Sequence, residues 1–272
     1  MEPVDRLVAE FAGYGRTLVA FSGGVDSSVA LAGAARALGA DRVAAVTAVS
    51  PAVPRAEVTA AREFCAELGV AHHTVTTREL DVDGYRDNGP TRCYFCKSTL
   101  LDTAMALAEQ RGFESVATGT NASDVAAGFR PGIRAAAERG ARTPLADAGL
   151  DKQAVRDIAR QWGLSTWDKP AAACLSSRIA YGIGITPNRL ARVERAEAAT
   201  RRILDGVHNL RVRDLGDSVR LEVDAHAVAV AQRDPAVRKA IDDAGFAGAP
   251  FVVEAFRSGS MNELLPDPER WR

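Results

Sequence analysis

From Thr17 to about Thr118, short runs of β-branched and apolar residues alternate with longer stretches in which apolar residues recur every three or four positions. TLVAFS, RVAAVTAV, AHHTVT and ESVATG read as strands; the stretches from about Asp26 to Leu38, Arg55 to Leu68 and Cys96 to Arg111 read as helices. That alternation is the pattern of a parallel sheet covered by helices, so the expected class is α/β with the order βαβαβαβ. A further helix begins at Asp151, a good N-cap, buries Val155, Ile158 and Ala159, and ends at Gly163. The stretch Ser165 to Thr186 has no period. Thr186 and Pro187 then supply an N-cap and first-turn proline for a long helix reaching about Leu204.

Beyond it the period becomes two. LRVR and SVRLEV alternate apolar and polar residues, which predicts a hairpin. With Asp214 to Asp217 as the connection, Arg213 faces Ser218, Val212 faces Val219, Arg211 faces Arg220 and Leu210 faces Leu221. The apolar pairs share one side of the ribbon, and Arg211, Arg213 and Arg220 share the other. Like charges so placed repel unless a bound anion, or Glu222 and Asp224, neutralise them. The expected organisation is a parallel-sheet domain over residues 1–180 and a smaller α+β domain over 181–272.

Composition narrows the setting. The 272 residues are 47% hydrophobic, with 34 basic against 35 acidic side chains and a net charge of −1. No uncharged run approaches the ~20 residues a membrane span needs, and neither sign clusters into the patch that nucleic-acid binding favours. Partners are therefore expected to be small molecules rather than nucleic acid or membrane. MEPVDRLVAEF lacks the basic then apolar plan of a secretory leader. In the expected cytoplasmic setting thiols stay reduced, so the four cysteines point to packing, metal or catalysis rather than structural disulfides.

The first strand leads into Ser22-Gly23-Gly24-Val25-Asp26-Ser27-Ser28 and then a helix. Glycines that turn backbone N–H groups inward, a helix N-terminus and serine hydroxyls make a phosphate cradle. A Walker loop would end in Gly-Lys-Ser/Thr, which is absent, and so is GxGxxG. Asp26 is expected to arrange Mg²⁺ or the phosphates. Gly119, Thr120 and Asp124 follow the fourth strand, so both loops would lie beyond the carboxyl ends of parallel strands, where ligands bind. Asp124 also reads as a helix cap, and Arg130 is a further candidate for the same cleft.

Cys93 and Cys96 form a CxxC beside a helix start, where dipole and basic neighbours activate thiols. Cys174 lies in an irregular segment able to reach toward them. Three thiolates suit a [4Fe–4S] cluster with one open iron, a persulfide or disulfide, or zinc with a fourth ligand that is not evident nearby. Cys65 falls in line with Val58, Ala61 and Leu68 and reads as core; His72, His73, His208 and His226 show no ligand spacing.

The SGGVDSS loop resembles that of the PP-loop ATP-pyrophosphatase superfamily, whose members cleave ATP between its α- and β-phosphates. Together with RCYFCK, GTNASD, CLSSR, LRVR with RLEV and RSGSMNE in this order, it resembles the ATP-dependent sulfur transferase (LarE) family from about Leu18 to Glu263. The resemblance implies adenylylation of pyridinium-3,5-biscarboxylic acid mononucleotide and its conversion to a thiocarboxylate, on the way to the nickel-pincer nucleotide cofactor of lactate racemase. It implies ATP, Mg²⁺ and, for a chain with Cys93, Cys96 and Cys174, a [4Fe–4S] cluster; the position of the sacrificial cysteine of other members is Cys174. Under it Arg211 and Arg213 grip the substrate phosphate, and Arg178, Glu222 and Glu197 orient substrate or form ion pairs. A sulfur donor, cofactor-maturation proteins and a second copy of the chain are the implied partners. Competing readings are a PP-loop tRNA thiolase, which needs an extended basic surface, an ammonia-using ligase, and a nucleotide-binding or redox-sensing module without catalysis.

Overall fold

The computed structural model describes residues 1–170 and 173–265, so Ala171 and Ala172, just before Cys174, lie outside the described residues with 266–272. In chain order come α1 (Pro3–Phe11), β1 (Thr17–Ala20), α2 (Val25–Leu38), β2 (Val43–Val49), α3 (Arg55–Glu67), β3 (Ala71–Thr76), α4 (Asp83–Arg86), α5 (Arg92–Arg111), β4 (Ser115–Thr118), α6 (Ala122–Ala126), α7 (Pro131–Glu138), α8 (Pro144–Asp147) and α9 (Lys152–Gln161). A 3₁₀ turn at Leu175–Arg178, α10 (Pro187–Ile203), β5 (Leu210–Asp214), β6 (Val219–Val223), α11 (Val228–Arg233), α12 (Pro235–Ile241) and β7 (Phe251–Ala255) follow. Two units form. One holds Met1–Glu79 and residues 93–170; the other takes Leu80–Arg92, from inside the expected first domain, and residues 173–265.

The first unit is built on a parallel sheet in the order β3-β2-β1-β4. Each residue of β1 is buried, as are the first five of β2, which is why these runs read as continuously apolar. Leu18, Ala44, Val46 and Val116 pack on one cluster, and Val19, Ala45 and Ala117 join the α1, α2 and α9 side chains in the other. The chain moves from β1 outward through β2 to β3, then returns to β4 on the opposite side of β1. Between β1 and β4 the winding reverses, and open parallel sheets take their ligands beyond the carboxyl ends of the strands at such a reversal.

The second unit carries the hairpin β5–β6, with β7 added parallel to β6, a strand that the sequence reading did not anticipate. The register differs from expectation by two residues: Leu210 faces Val223, Arg211 faces Glu222, Val212 faces Leu221 and Arg213 faces Arg220. An even shift preserves the two faces, so the arginines still share a side. The cause is Asp214, which stays in the strand because its carboxylate, 0% exposed, accepts from Arg189 Nη1 at 2.8 Å and Arg192 Nε at 2.9 Å, both on α10. The turn therefore moves on by one residue, closed by Leu215 N donating to Ser218 O. The segment taken from the first half is anchored in this unit. Tyr85 Oη lies 2.5 Å from Ser176 Oγ, and the Asn88 amide donates to the carbonyls of Ile179, Ala180 and Ile183. No helix among the described residues is long and apolar enough to cross a membrane.

Candidate functional site

The backbone of β1 continues into Phe21, whose N–H donates to Val46 O, and the chain then turns at Gly23 with φ +73° before α2 begins. That left-handed conformation is available to glycine without a Cβ clash. The serine hydroxyls behave differently from expectation: Ser27 Oγ and Ser28 Oγ donate to Gly24 O at 2.9 and 3.0 Å, so they brace the turn from within. Ser22 Oγ lies 3.2 Å from Ser27 Oγ.

Asp26, in the first turn of α2, is held at both oxygens. Asn121 Nδ2 donates to Oδ1 at 3.0 Å, and the Lys152 ammonium bonds Oδ2. Asn121 is also the N-cap of α6: its side chain accepts from Asp124 N at 2.9 Å, and Asp124 Oδ2 accepts from Asn121 N at 3.4 Å. Asp124 is thus accounted for by a capping box, with Arg130 Nη2 3.8 Å from its other oxygen. On the other flank of the loop, Lys169 Nζ donates to Gly23 O at 3.0 Å and to Glu57 Oε2 at 2.6 Å. Asn121 belongs to the GTNASD stretch read from sequence beside Gly119, Thr120 and Asp124, whereas Lys152, Lys169 and Glu57 were not singled out. Single lysines far along the chain carry no spacing signal.

Gly119 has a steric role. A Cβ there would lie 2.6 Å from Ser27 N and 2.8 Å from Ser27 Cα, so the end of β4 touches the start of α2 backbone to backbone. Gly119→Ala must push the two apart. We expect a stability loss of roughly 1–3 kcal/mol and weaker nucleotide binding, read by denaturant unfolding and calorimetric titration; unchanged ATP affinity would show that the loop tolerates the shift.

Cys93 and Cys96 lie inside α5 rather than before it, one turn apart. Gly132 of α7 approaches Cys93 O, the Tyr94 hydroxyl donates to Glu138 Oε2 at 2.5 Å, and the Arg134 guanidinium covers the Tyr94 ring, so α7 anchors this turn. Cys93 is exposed and Cys96 half-buried. Cys65 is buried in the core, where burial pushes its thiol up to about 12. Spacing of i and i+3 lets two thiolates meet one soft metal or cluster. Among the described residues no group of three His, Cys, Asp or Glu stands together to hold a metal.

In the second unit Cys174 is half-buried and caps the 3₁₀ turn. Its carbonyl accepts from Ser177 Oγ at 2.7 Å and Arg178 Nη1 at 3.0 Å, and Arg178 also reaches Ala173 O. Arg178 Nε donates to Glu197 Oε1 at 2.9 Å, which in turn accepts from Val212 N. Arg178 and Glu197 thus form an ion pair that fixes the Cys174 backbone to β5. Glu222, 1% exposed, accepts from Arg213 at 2.7 and 3.0 Å and from Ser260 Oγ at 2.8 Å. It is the buried counter-ion of Arg213 in place of the solvated balance considered from sequence, and Arg220 reaches Glu254. Arg211 is buried beside Arg178 and Arg213; burial first, then these charges, pull its guanidinium down to about 10.

Comparison with known proteins adds the following. Residues 5–86 match the NAD synthase family profile. The chain is 34% identical over 260 residues to the pyridinium-3,5-bisthiocarboxylic acid mononucleotide synthase of Lactiplantibacillus plantarum, covering 95% of this chain and 93% of that protein. It is 40% identical over 253 residues to an uncharacterised protein of Synechocystis sp., covering 92% and 93%. It is also 36% identical over 114 residues to the argininosuccinate synthase of Halobacterium salinarum, covering only 39% and 28%. Near-complete coverage of the first relative, a glycine–serine loop at the sheet's reversal point and the NAD synthase-type first unit agree: this chain belongs to the LarE family of PP-loop, ATP-dependent sulfurtransferases.

Proposed function

We propose that this chain acts in the cytoplasm on pyridinium-3,5-biscarboxylic acid mononucleotide, using ATP and Mg²⁺ to turn a carboxylate into a thiocarboxylate for the nickel-pincer nucleotide cofactor. A carboxylate resists nucleophiles until one oxygen becomes part of a mixed anhydride with AMP; sulfur then attacks the carbonyl carbon and AMP leaves. The observation that carries the reading is the presence on one chain of the SGGVDSS loop at the reversal of the sheet and of Cys174 with its carbonyl pinned by Ser177 and Arg178. Asp26 is the oxygen ligand suited to Mg²⁺. Cys93, Cys96 and Cys174 bear the sulfur, and a [4Fe–4S] cluster on these three soft donors would supply a sulfide from its open iron.

Arg211 and Arg213 bind the mononucleotide phosphate in this reading, since a dianion relieves the cation crowding that lowers Arg211. Arg178, Glu197 and Glu222 hold those groups in place. Incubating anaerobically purified protein with ATP and the mononucleotide is expected to yield pyrophosphate and a thiocarboxylate by mass spectrometry, with about four irons and four sulfides per chain. Arg211→Gln and Arg213→Gln are expected to raise the KM for the mononucleotide by tenfold or more, on the order of 1.5–3 kcal/mol, without changing ATP affinity. Pyrophosphate release that ignores the mononucleotide would refute the substrate, and an iron-free protein after reconstitution would refute the cluster.

A further inference from the structure

The phosphate loop holds no cation. Its one charged side chain is the acidic Asp26, and the hydroxyls of Ser27 and Ser28 are committed to Gly24 O. Yet adenylyl transfer expels pyrophosphate, and negative charge builds on its departing oxygen as the bond to the α-phosphorus breaks. Two ammonium groups reach the loop from later in the first unit. Lys152 comes from the start of α9, 126 residues beyond Asp26, and Lys169 from 146 residues beyond Gly23. They flank the loop on two sides: one bonds the carboxylate in the first turn of α2, the other the carbonyl at the turn itself and Glu57.

We infer that Lys152 and Lys169 are the cations that hold the β- and γ-phosphates of ATP and stabilise the departing pyrophosphate, and that without nucleotide they rest on Asp26 and Glu57. This deepens the ATP-dependent reading of the same loop and rests on it. Both pairs suit such an exchange because they are only partly buried: the side chains are 43% and 23% exposed for Lys152–Asp26 and 24% and 26% for Lys169–Glu57. Pairs with that access to water are held weakly. An ammonium is a point charge on a flexible stem, free to turn from a carboxylate to a phosphate without losing charge. In the step itself a substrate carboxylate oxygen bonds to the α-phosphorus, the bond from that phosphorus to the α,β-bridging oxygen breaks, and its electron pair leaves with pyrophosphate. The lysines accept no proton and act by charge alone. Turning Lys152 away also frees one Asp26 oxygen, leaving that carboxylate able to serve Mg²⁺ as an oxygen ligand.

The discriminating measurement compares pyrophosphate with AMP, because AMP has no β- or γ-phosphate. Lys152→Met and Lys169→Met are each expected to weaken ATP and pyrophosphate binding by about tenfold or more, to leave AMP binding within about twofold, and to slow pyrophosphate release by about 10²-fold. Lys→Arg variants should regain part of the loss. Melting temperature, followed alongside, separates a misfolded variant from a binding defect. Two further variants test direct contact: Asp26→Asn added to Lys152→Met, and Glu57→Gln added to Lys169→Met, with pyrophosphate binding measured without metal. Restoration there would show that each lysine merely cancels a neighbouring carboxylate, and the inference fails. It also fails if AMP and pyrophosphate weaken together, or if neither changes. Should the wild type bind no ATP at all, the reading of the loop fails before the lysines are in question.

Discussion

Cys174→Ala is expected to end thiocarboxylate formation, a drop of at least about 10³-fold, while ATP and mononucleotide still yield pyrophosphate. The substitution is clean because alanine keeps the Cβ and accepts the extended backbone of this position, φ −63° and ψ 157°. The contacts that fix the segment are made by the Cys174 carbonyl with Ser177 and Arg178, and they survive loss of the thiol. Activation and sulfur delivery therefore come apart in one variant. Pyrophosphate release measured beside the product mass decides it. Persistent thiocarboxylate would move the sulfur donor to Cys93 or Cys96; loss of both signals would mean that Cys174 is needed before sulfur moves.

Asp214→Ala is expected to be the most destabilising single change in the second unit, costing roughly 3–5 kcal/mol. It leaves Arg189 and Arg192 facing a site with no carboxylate, and it removes the acceptor that also holds Gly216 N. Guanidinium unfolding followed by circular dichroism reads the loss as a fall in midpoint. Asp214→Asn keeps an acceptor oxygen and should lose less. A double change that also replaces Arg192 by methionine should recover part of the deficit, because one half-buried cation that has lost its carboxylate is then gone. A loss under about 1 kcal/mol would mean that the pairs are solvated and do not set the turn.

Such long-range pairs mark where reading the chain stops. The four parallel strands and the helices between them were legible because pattern and burial agree: β1 and the first five residues of β2 are buried and, but for Thr17 and Thr47, apolar, and Asp151 and Thr186 cap their helices as expected. The faces of the hairpin were legible too, since alternation fixes them. Its register was not, because Asp214 reads as a turn residue until α10 supplies the arginines. The CxxC lies within α5 because helical structure starts at Arg92, four residues ahead of the expected boundary. Arg178 and Glu222 were legible as charged residues near the chemistry; their assignment as supports of Cys174 and Arg213 depends on partners 19 and 9 residues away. Lys152 and Lys169 were invisible, each being one lysine among many until folding brings it to the loop.

The excursion of Leu80–Arg92 into the second unit bears on how such a protein is made and inherited. Tyr85 and Asn88 leave the ribosome some 91 residues ahead of Ser176 and Ile179, so these side chains wait unpartnered while the intervening polypeptide is still being synthesised. A gene cut after the last helix of the parallel-sheet unit would encode a carboxyl-terminal fragment lacking the residues that fill its interior. Recombination can therefore exchange either unit only by replacing two separate stretches of sequence at once, which favours their descent as a single gene.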